Sequence, residues 1–189
     1  MKKEEQEKRL LEVISKSMSL RDIITFEKEK LQIIIDFLEQ NNINNLDNIS
    51  MIGIGTYSRV FKINNFVIKI GLAKIRKDII KSSNVAEEII RLNIKFVTEK
   101  ITMVVGIVIQ KLAEKYENKC EEDLYNLFSS LREEKLIWTD VKYENVGKIN
   151  EKLVVIDTDD IFYEKDFNII WSTPLFQKFE ERYKKERRM

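Results

Sequence analysis

A carboxylate, a lysine and an amide stand at short spacing in one stretch of this chain, and a second carboxylate follows soon after. The stretch LIWTDVKYENVGKINEKLVVIDTDD (136–160) contains Asp140, Lys142 and Asn145 in the pattern D-x-K-x-x-N. A short apolar run then leads to Asp157. Transfer of a phosphoryl group from Mg·ATP needs a carboxylate and an amide on a loop and a second carboxylate after a strand, in about this order. The pattern therefore predicts one half of a phosphoryl-transfer site.

A glycine-containing turn upstream predicts the other half. The segment SMIGIGTYSRVFKINNFVIKIG (50–71) alternates apolar residues on both sides of an Asn-Asn turn, which is typical of a β-hairpin. Gly53 and Gly55 lie in the turn before this hairpin, where glycine lets backbone N–H groups approach an anion. Lys69 lies inside the apolar strand VIKI, where a buried amine needs an anionic partner. We interpret Lys69 as a phosphate-facing residue; a solvent-facing strand lysine is the alternative.

The first 48 residues are predicted to form two amphipathic helices. Apolar residues recur at helical spacing in residues 1–19 and again in residues 20–40, and an Asn-rich tract follows. We interpret the pair as a packing cap; the alternative is a docking element for a partner or substrate. The same spacing predicts a helix over residues 114–134 and a final helix over Leu175–Arg188.

The segment NVAEEIIRLNI (84–94) is predicted to be a helix that presents a carboxylate to the strand lysine. Glu88 is preferred over Glu87 for this role, although either fits a solvated helix face. Residues 96–112 are predicted to be two strands, broken near a central Val-Gly pair, that complete a five-stranded antiparallel sheet. The end of the second strand would form a linker between two lobes.

The composition excludes several other kinds of chemistry. The 189 residues include no histidine, which removes His-based triads, His-ligated zinc and histidine general bases. The single cysteine, Cys120, excludes an internal disulfide. Lys+Arg (33) and Asp+Glu (32) nearly cancel, so nucleic acid is not expected as the main partner. We expect neither a Sec-type signal peptide nor a membrane span, since no apolar run approaches the ~18 residues that a span needs. A soluble, cytoplasmic protein is expected.

Taken together, these segments resemble the protein kinase fold over residues 53–160. GIGTYSRV resembles the glycine-rich loop G-x-G-x-x-G-x-V, with Ser58 in place of the third glycine, and VIK ending at Lys69 resembles the V-A-I-K strand. WTDVKYEN resembles H-R-D-L-x-x-x-N, with Asp140 in step, and IDTD resembles the D-F-G segment. Each string is weak alone, but their order and spacing are specific.

The resemblance implies an α+β fold with two lobes. Residues 1–48 would be a helical extension and residues 49–189 a minimal kinase domain. Its small antiparallel N-lobe would span residues 49–110, its hinge residues 110–113, and its truncated, mainly helical C-lobe residues 114–189.

The resemblance also implies roles for single residues. Lys69 would hold the α- and β-phosphates of ATP and pair with the helix glutamate, Asp140 would orient the substrate hydroxyl, and Lys142 would steady the γ-phosphate. Asn145 and Asp157 would bind Mg²⁺ or Mn²⁺. The residues implied to contact ATP are Gly53, Gly55, Ser58, Val60, Lys69, Glu88, Gln110 and Leu112.

The chain departs from the kinase pattern at several positions. Trp138 and Thr139 replace the His-Arg pair, so no arginine is present at this position to bind a phosphorylated activation loop. Thr158 and Asp159 replace Phe-Gly, and no A-P-E motif follows. The Asp159-Asp160 pair adds negative charge, which would either recruit a second cation or be surface charge. This reduced plan resembles the minimal, atypical kinases of bacterial effectors.

Three functions follow from the resemblance. The first is an ATP- and Mg-dependent Ser/Thr protein kinase that acts on an unidentified protein. The second is a small-molecule phosphotransferase of the same fold, and the third is a nucleotide-binding pseudokinase or interaction module. An activating or docking partner would bind through residues 1–48. A dedicated secretion system that delivers the protein into a host cell is compatible with each of them.

Overall fold

The computed structural model describes residues 3–43, 46, 49–74, 78–167 and 171–188. The chain divides into two compact units. Unit 1 comprises residues 1–79 and 88–112, and unit 2 comprises residues 80–87 and 113–189.

Unit 1 is built on a six-stranded antiparallel sheet with the order β1-β5-β6-β4-β3-β2. The central strands β4 and β6 are runs rich in Ile and Val, and β-branched side chains favour strands because they pack well on the pleated surface of a sheet. Two helices precede and interrupt the strands. The elements of unit 1 are α1 (Lys3–Met18), β1 (Ile23–Phe26), α2 (Lys28–Gln40), β2 (Ser50–Ile54), β3 (Ser58–Ile63), β4 (Phe66–Leu72), β5 (Glu88–Thr98) and β6 (Thr102–Lys111).

Both helices pack on one face of this sheet. Leu10 of α1 and Leu31 of α2 are fully buried in the same apolar cluster as Ile68, Ile107 and Ile109 of the central strands. Because side chains alternate along a strand, the residues between these isoleucines point to the opposite face. The helices thus do not cover the face of the sheet that carries Lys69. The predicted division at residue 48 does not coincide with a boundary between the compact units.

Three predictions in unit 1 are wrong. The stretch 20–40 is not one helix: Ser19 and Asp22 adopt positive φ angles of 54°, which end α1 and let β1 form as an edge strand. The predicted five-stranded sheet therefore has a sixth strand. Finally, the chain turns at residues 99–101 and not at Gly106. Gly106 lies inside β6, where its backbone approaches β4 so closely that a Cβ would lie 2.5 Å from the Leu72 carbonyl oxygen.

The predicted helix over residues 84–94 is also wrong. Glu88 begins β5, the longest strand of the sheet. Ile90, Ile94 and Phe96 are buried together with the α1–α2 cluster, while Arg91 is buried outside it. The buried residues therefore alternate with a period of two, as in a strand. Pairing with β6 favours this strand over the predicted helix. The hairpin turn between β3 and β4 and the glycine turn between β2 and β3 are confirmed.

Unit 2 combines two helices with short antiparallel strands around a second apolar core. The predicted helix over residues 114–134 begins only at residue 121, after a two-residue strand, and the predicted final helix is confirmed with Pro174 at its start. The elements of unit 2 are β7 (Glu114–Lys115), α3 (Glu121–Glu133), β8 (Leu136–Trp138), β9 (Val146–Ile149), β10 (Lys152–Val155), β11 (Ile161–Tyr163) and α4 (Pro174–Glu186).

The strands of unit 2 form two small sheets. One has the order β10-β9-β7, and the other pairs β11 with β8. Fully buried aromatic residues, among them Phe128 of α3 and Phe179 of α4, fill the core beside them. Among the described residues, no helix is both long enough and apolar enough to cross a lipid bilayer.

Candidate functional site

The predicted residues of unit 1 lie on one face of its sheet. Val60 is the register partner of both Gly53 and Lys69, and Lys69 and Arg91 are both partners of Val108. Register partners in an antiparallel sheet share one face, so one row of positions crosses five strands, and four of them carry a side chain on that face. Ser58 and Gln110 lie on the same face of the sheet. Ser58 is two residues from Val60 in β3, and Gln110 is two residues from Val108 in β6. Lys69 is buried, with 7% of its surface exposed.

The glycine turn is a tight reversal between β2 and β3. The Gly55 N–H donates to the Ser58 carbonyl oxygen at 2.8 Å, which closes the turn. The Leu72 N–H donates to the Tyr57 carbonyl oxygen at 3.0 Å and ties the turn to β4. A Cβ at Gly71 would lie 2.2 Å from that same carbonyl oxygen, so only glycine fits opposite the turn. Backbone contacts therefore hold the turn beside the strand that carries Lys69.

Glu88 is held by a buried arginine of its own strand. The Arg91 Nε donates to Glu88 Oε2 at 3.0 Å and Arg91 Nη2 pairs with Glu88 Oε1 at 2.5 Å. The two side chains are 1% and 0% exposed. Such a bidentate pair fixes the orientation of the carboxylate. Of the two glutamates considered for the lysine partner, Glu88 points to the Lys69 face, as the partner of Gln110 in the register.

The predicted linker residues lie where the chain leaves unit 1. Gln110 is 2% exposed and pairs in the register with Val67 on one side and Glu88 on the other. The Leu112 N–H donates to the Asn65 carbonyl oxygen at 2.9 Å. Unit 1 ends at Leu112, so the predicted hinge overlaps this passage.

In unit 2 the loop residues of the D-x-K-x-x-N pattern contact one another. Asn145 Nδ2 donates to Asp140 Oδ2 at 2.8 Å and to the Asp140 carbonyl oxygen at 3.0 Å. Lys142 Nζ lies 2.5 Å from Asp140 Oδ2. Asp140 and Asn145 are each 5% exposed, whereas the Lys142 side chain is 44% exposed. The amide and the ammonium thus orient a nearly buried carboxylate.

Two local structures place this loop. The loop follows β8, which pairs with β11. Residues Tyr143–Asn145 form a short 3-10 helix within the loop. The Ile156 N–H donates to the Asn145 carbonyl oxygen at 2.8 Å, which brings the end of β10 to the loop. Asp157 follows at once. Sequence order alone could not show this contact, because it depends on the β9–β10 hairpin.

Three carboxylates of unit 2 converge. One oxygen from each of Asp140, Asp157 and Asp160 lies within 4.8 Å of the others. Oxygen ligands at such a separation suit a hard divalent cation such as Mg²⁺. The predicted metal residues, Asn145 and Asp157, both lie at this carboxylate cluster, since Asn145 contacts Asp140. We call the set Asp140, Asp157 and Asp160 the carboxylate cluster.

The carboxylate cluster shifts the titration of two groups. Burial and the charges of Asp157 and Asp140 raise the pKa of Asp160 to about 6. Burial by itself would lower the pKa of Lys142, but the hydrogen bond to Asp140 and the charges of the cluster outweigh burial and raise that pKa. The raised pKa of Lys142, and the part of the Asp160 shift that burial does not cause, express an excess of negative charge at one place, which a bound cation would neutralise.

Sequence reasoning gave no role to Arg91 or Thr173 and left two interpretations of Asp160 open. Asp160 was considered only as surface charge or as a ligand of a second cation, and the structure adds it to the carboxylate cluster. Arg91 had no role, although a period-two reading of β5 would have placed it on the Lys69 face. Thr173 gave no signal beyond its position before Pro174, which is typical of a helix N-cap.

No profile of a known protein family and no curated protein sequence matches the chain. Solved structures do match it. The chain is similar to the effector kinase LegK7 of Legionella pneumophila over 82% of its length, with 16% sequence identity and a TM-score of 0.41. A structure of LegK7 in complex with human MOB1A matches 72% of the chain, with 14% identity and a TM-score of 0.41. The chain spans 42% and 34% of those two LegK7 chains.

Proposed function

We propose that this chain is an ATP-dependent phosphotransferase that uses Mg²⁺ or Mn²⁺ and transfers the γ-phosphoryl group to a Ser or Thr hydroxyl of a protein. The observation that carries the proposal is the loop of unit 2. It holds a nearly buried Asp140 between an amide and an ammonium, with two further carboxylates within 4.8 Å. These are the groups that phosphoryl transfer needs for positioning and for charge neutralisation.

The residues of unit 2 would divide the work of transfer. Asp140 Oδ1 or Oδ2 would accept a hydrogen bond from the acceptor hydroxyl and orient its oxygen for in-line attack. Lys142 would donate to the transferred phosphoryl group, since its side chain is half exposed while its amine already lies beside Asp140. Asn145 and Asp157 would hold the metal, with Asp160 as an additional carboxylate. The cation, when bound, would supply charge neutralisation of the phosphates.

The residues of unit 1 would hold the nucleotide. Lys69 would bind the α- and β-phosphates, and the glycine turn at Gly53 and Gly55 would lie along the phosphate chain, where the absence of side chains lets the backbone approach it. Glu88, oriented by Arg91, would fix the lysine amine. The proposal assigns the base of ATP to the backbone of the linker, where Gln110 and Leu112 lie.

The test is transfer from γ-labelled ATP to a generic protein acceptor, to the protein itself and to a set of added small hydroxyl compounds, with Mg²⁺ or Mn²⁺. Asp140→Asn, Asp157→Asn and Lys69→Met keep side-chain size and remove the proposed chemistry. We expect each to lower transfer by about a hundredfold or more. The matched controls are the exposed residues Asp166 and Lys62, whose substitution by Asn and Met should leave transfer at the wild-type level.

The outcomes separate the proposal from its competitors. Label on Ser or Thr that disappears in all three variants supports it. Label on an added small molecule and on no protein would identify a small-molecule phosphotransferase. ATP binding without any transfer would identify a pseudokinase, and the absence of both binding and transfer would refute the site assignment itself.

A further inference from the structure

The last helix of unit 2 is attached to the backbone of the Asp140 loop through one residue. The Thr173 N–H donates to the Thr139 carbonyl oxygen at 3.1 Å. The Thr173 hydroxyl lies 3.3 Å from the same carbonyl oxygen and 3.2 Å from the Val141 carbonyl oxygen. These two carbonyls flank Asp140 in the chain. The contacts therefore act on the backbone immediately before and after the carboxylate.

The same hydroxyl also caps the helix. Thr173 Oγ1 accepts a hydrogen bond from the Phe176 N–H at 3.2 Å, in the extended conformation typical of an N-cap. A hydroxyl has one proton and two acceptor lone pairs, so it can cap α4 and donate to one loop carbonyl at a time. Capping and loop attachment thus share one side chain, and the start of α4 is fixed relative to the loop.

A second attachment holds the loop from the segment after Asp157. The Thr139 N–H donates to the Asp160 carbonyl oxygen at 3.0 Å, and the Thr139 hydroxyl lies 3.3 Å from that oxygen. Thr139 and Val141 are 2% and 0% exposed, so water cannot readily replace these partners. The backbone around Asp140 is therefore held by both Asp160 and Thr173.

We propose that Thr173 is a positioning residue for Asp140, and that the hydrogen bonds of Thr173 to the Thr139 and Val141 carbonyls keep the loop in its working geometry without any modification of the chain. We call these bonds the Thr173 clasp. Its catalytic part rests on the proposed phosphotransfer, because Thr173 touches neither the reacting groups nor the metal ligands and acts only through the loop. A loop held in this way needs no phosphorylated segment to order it.

The test compares Thr173→Val, which removes the hydroxyl and keeps the backbone N–H, with Thr173→Ser, which restores the hydroxyl. Tyr125→Phe serves as a stability control, since it removes the 2.6 Å hydrogen bond from Tyr125 to Glu186 at the far end of α4. Amide hydrogen exchange is followed for residues 139–146, alongside the melting temperature, kcat and KM for ATP.

We expect Thr173→Val to speed exchange of residues 139–146 by about tenfold and to lower kcat by about tenfold or more, with KM for ATP within about twofold of wild type. Thr173→Ser should restore both. Tyr125→Phe should lower the melting temperature and leave loop exchange and kcat at wild-type values.

Unchanged loop exchange in Thr173→Val would overturn the clasp. Equal effects of Tyr125→Phe at an equal loss of melting temperature would also overturn it, because they would show a general loss of stability. Faster exchange with an unchanged kcat would overturn the positioning role. If the wild-type protein transfers no phosphate, the proposed function fails, and loop exchange alone decides whether the clasp exists.

Discussion

Asp160 is the residue that most changes the electrostatics of the Asp140 loop. It brings a third carboxylate within 4.8 Å of two others, and its pKa of about 6 reflects burial and their charge. A group that raises the charge density of a site lowers the stability of the empty protein and strengthens the binding of a cation. The same side chain is thus expected to act in opposite directions on folding and on metal affinity.

Replacing Asp160 with Asn tests this at the residue scale. Without metal, we expect the melting temperature at neutral pH to rise by about 2–4 °C, because repulsion within the carboxylate cluster falls. The affinity for Mn²⁺ should fall about tenfold or more, because an anionic ligand is lost. Thermal unfolding and Mn²⁺ titration measure the two effects.

Asp166→Asn is the control for this change, since it removes an exposed carboxylate from the same part of the chain. It should alter neither quantity. A lower melting temperature for Asp160→Asn without metal, or an unchanged Mn²⁺ affinity, would contradict the assignment of Asp160 to a cation site.

The Glu88–Arg91 pair is the second feature at this scale. Both side chains are almost completely buried, so removing one partner would leave an uncompensated charge. The pair fixes the orientation of the Glu88 carboxylate on the Lys69 face, because both of its oxygens are held by Arg91. The proposed lysine partner is consequently part of the sheet.

At the scale of elements, α4 depends on a buried tyrosine of α3. The Tyr125 hydroxyl donates to Glu186 Oε2 at 2.6 Å, and Arg182 stacks over its ring at 3.6 Å from the ring centroid. Burial, followed by the hydrogen bond to Glu186, raises the pKa of Tyr125 to about 12. The folded protein therefore retains this proton at pH values where the unfolded chain loses it.

This shift predicts alkaline destabilisation. Between the unfolded tyrosine pKa of about 10 and the folded value of about 12, the folded state binds more protons, so the free energy of unfolding falls as pH rises. In Tyr125→Phe that part of the decline should be absent, although the variant is less stable at neutral pH. Thermal unfolding at several pH values from about 8 to about 11.5 measures both.

Tyr57→Phe is the matched control, because Tyr57 is 70% exposed. Its alkaline decline should follow that of the wild type. A decline in Tyr125→Phe as steep as in the wild type would show that other groups cause it.

At the scale of the whole molecule, α1 and α2 belong to the core of unit 1. Their apolar residues share one cluster with the central strands, and Lys30 of α2 donates to the Asn93 carbonyl oxygen at 2.7 Å. The apolar face of the sheet needs this cover, because exposed isoleucines on a sheet promote association. Their packing role therefore goes beyond that of an appendage.

A pair of substitutions in α2 tests this packing. Leu31→Ala should lower the free energy of unfolding by about 2–5 kcal/mol, because it leaves a cavity in the shared core. Ile33→Ala, two residues away and 47% exposed in the wild type, should cost less than about 1 kcal/mol. Urea denaturation of the full chain measures both; similar small losses would show that α2 is not part of the core.

The sequence by itself determined the order and type of the chemical groups. The spacing of Asp140, Lys142 and Asn145, the glycine turn, the β3–β4 hairpin and the final helix all depend on local patterns of turn residues, apolar periodicity and caps. Such patterns act over a few residues, so they can be read along the chain. The α+β fold class was implied by the resemblance of these segments, in this order, to the protein kinase fold.

Only the tertiary structure decided how these groups meet. β5 formed where a helix was predicted because pairing with β6 outweighs a local pattern that fits both periods. Asp160 converges with Asp140, and Thr173 contacts the carbonyls on either side of Asp140. Both contacts join residues that are 20 or more positions apart in the chain. Long-range contacts of this kind depend on which strands and helices pack together, and no local pattern encodes that packing.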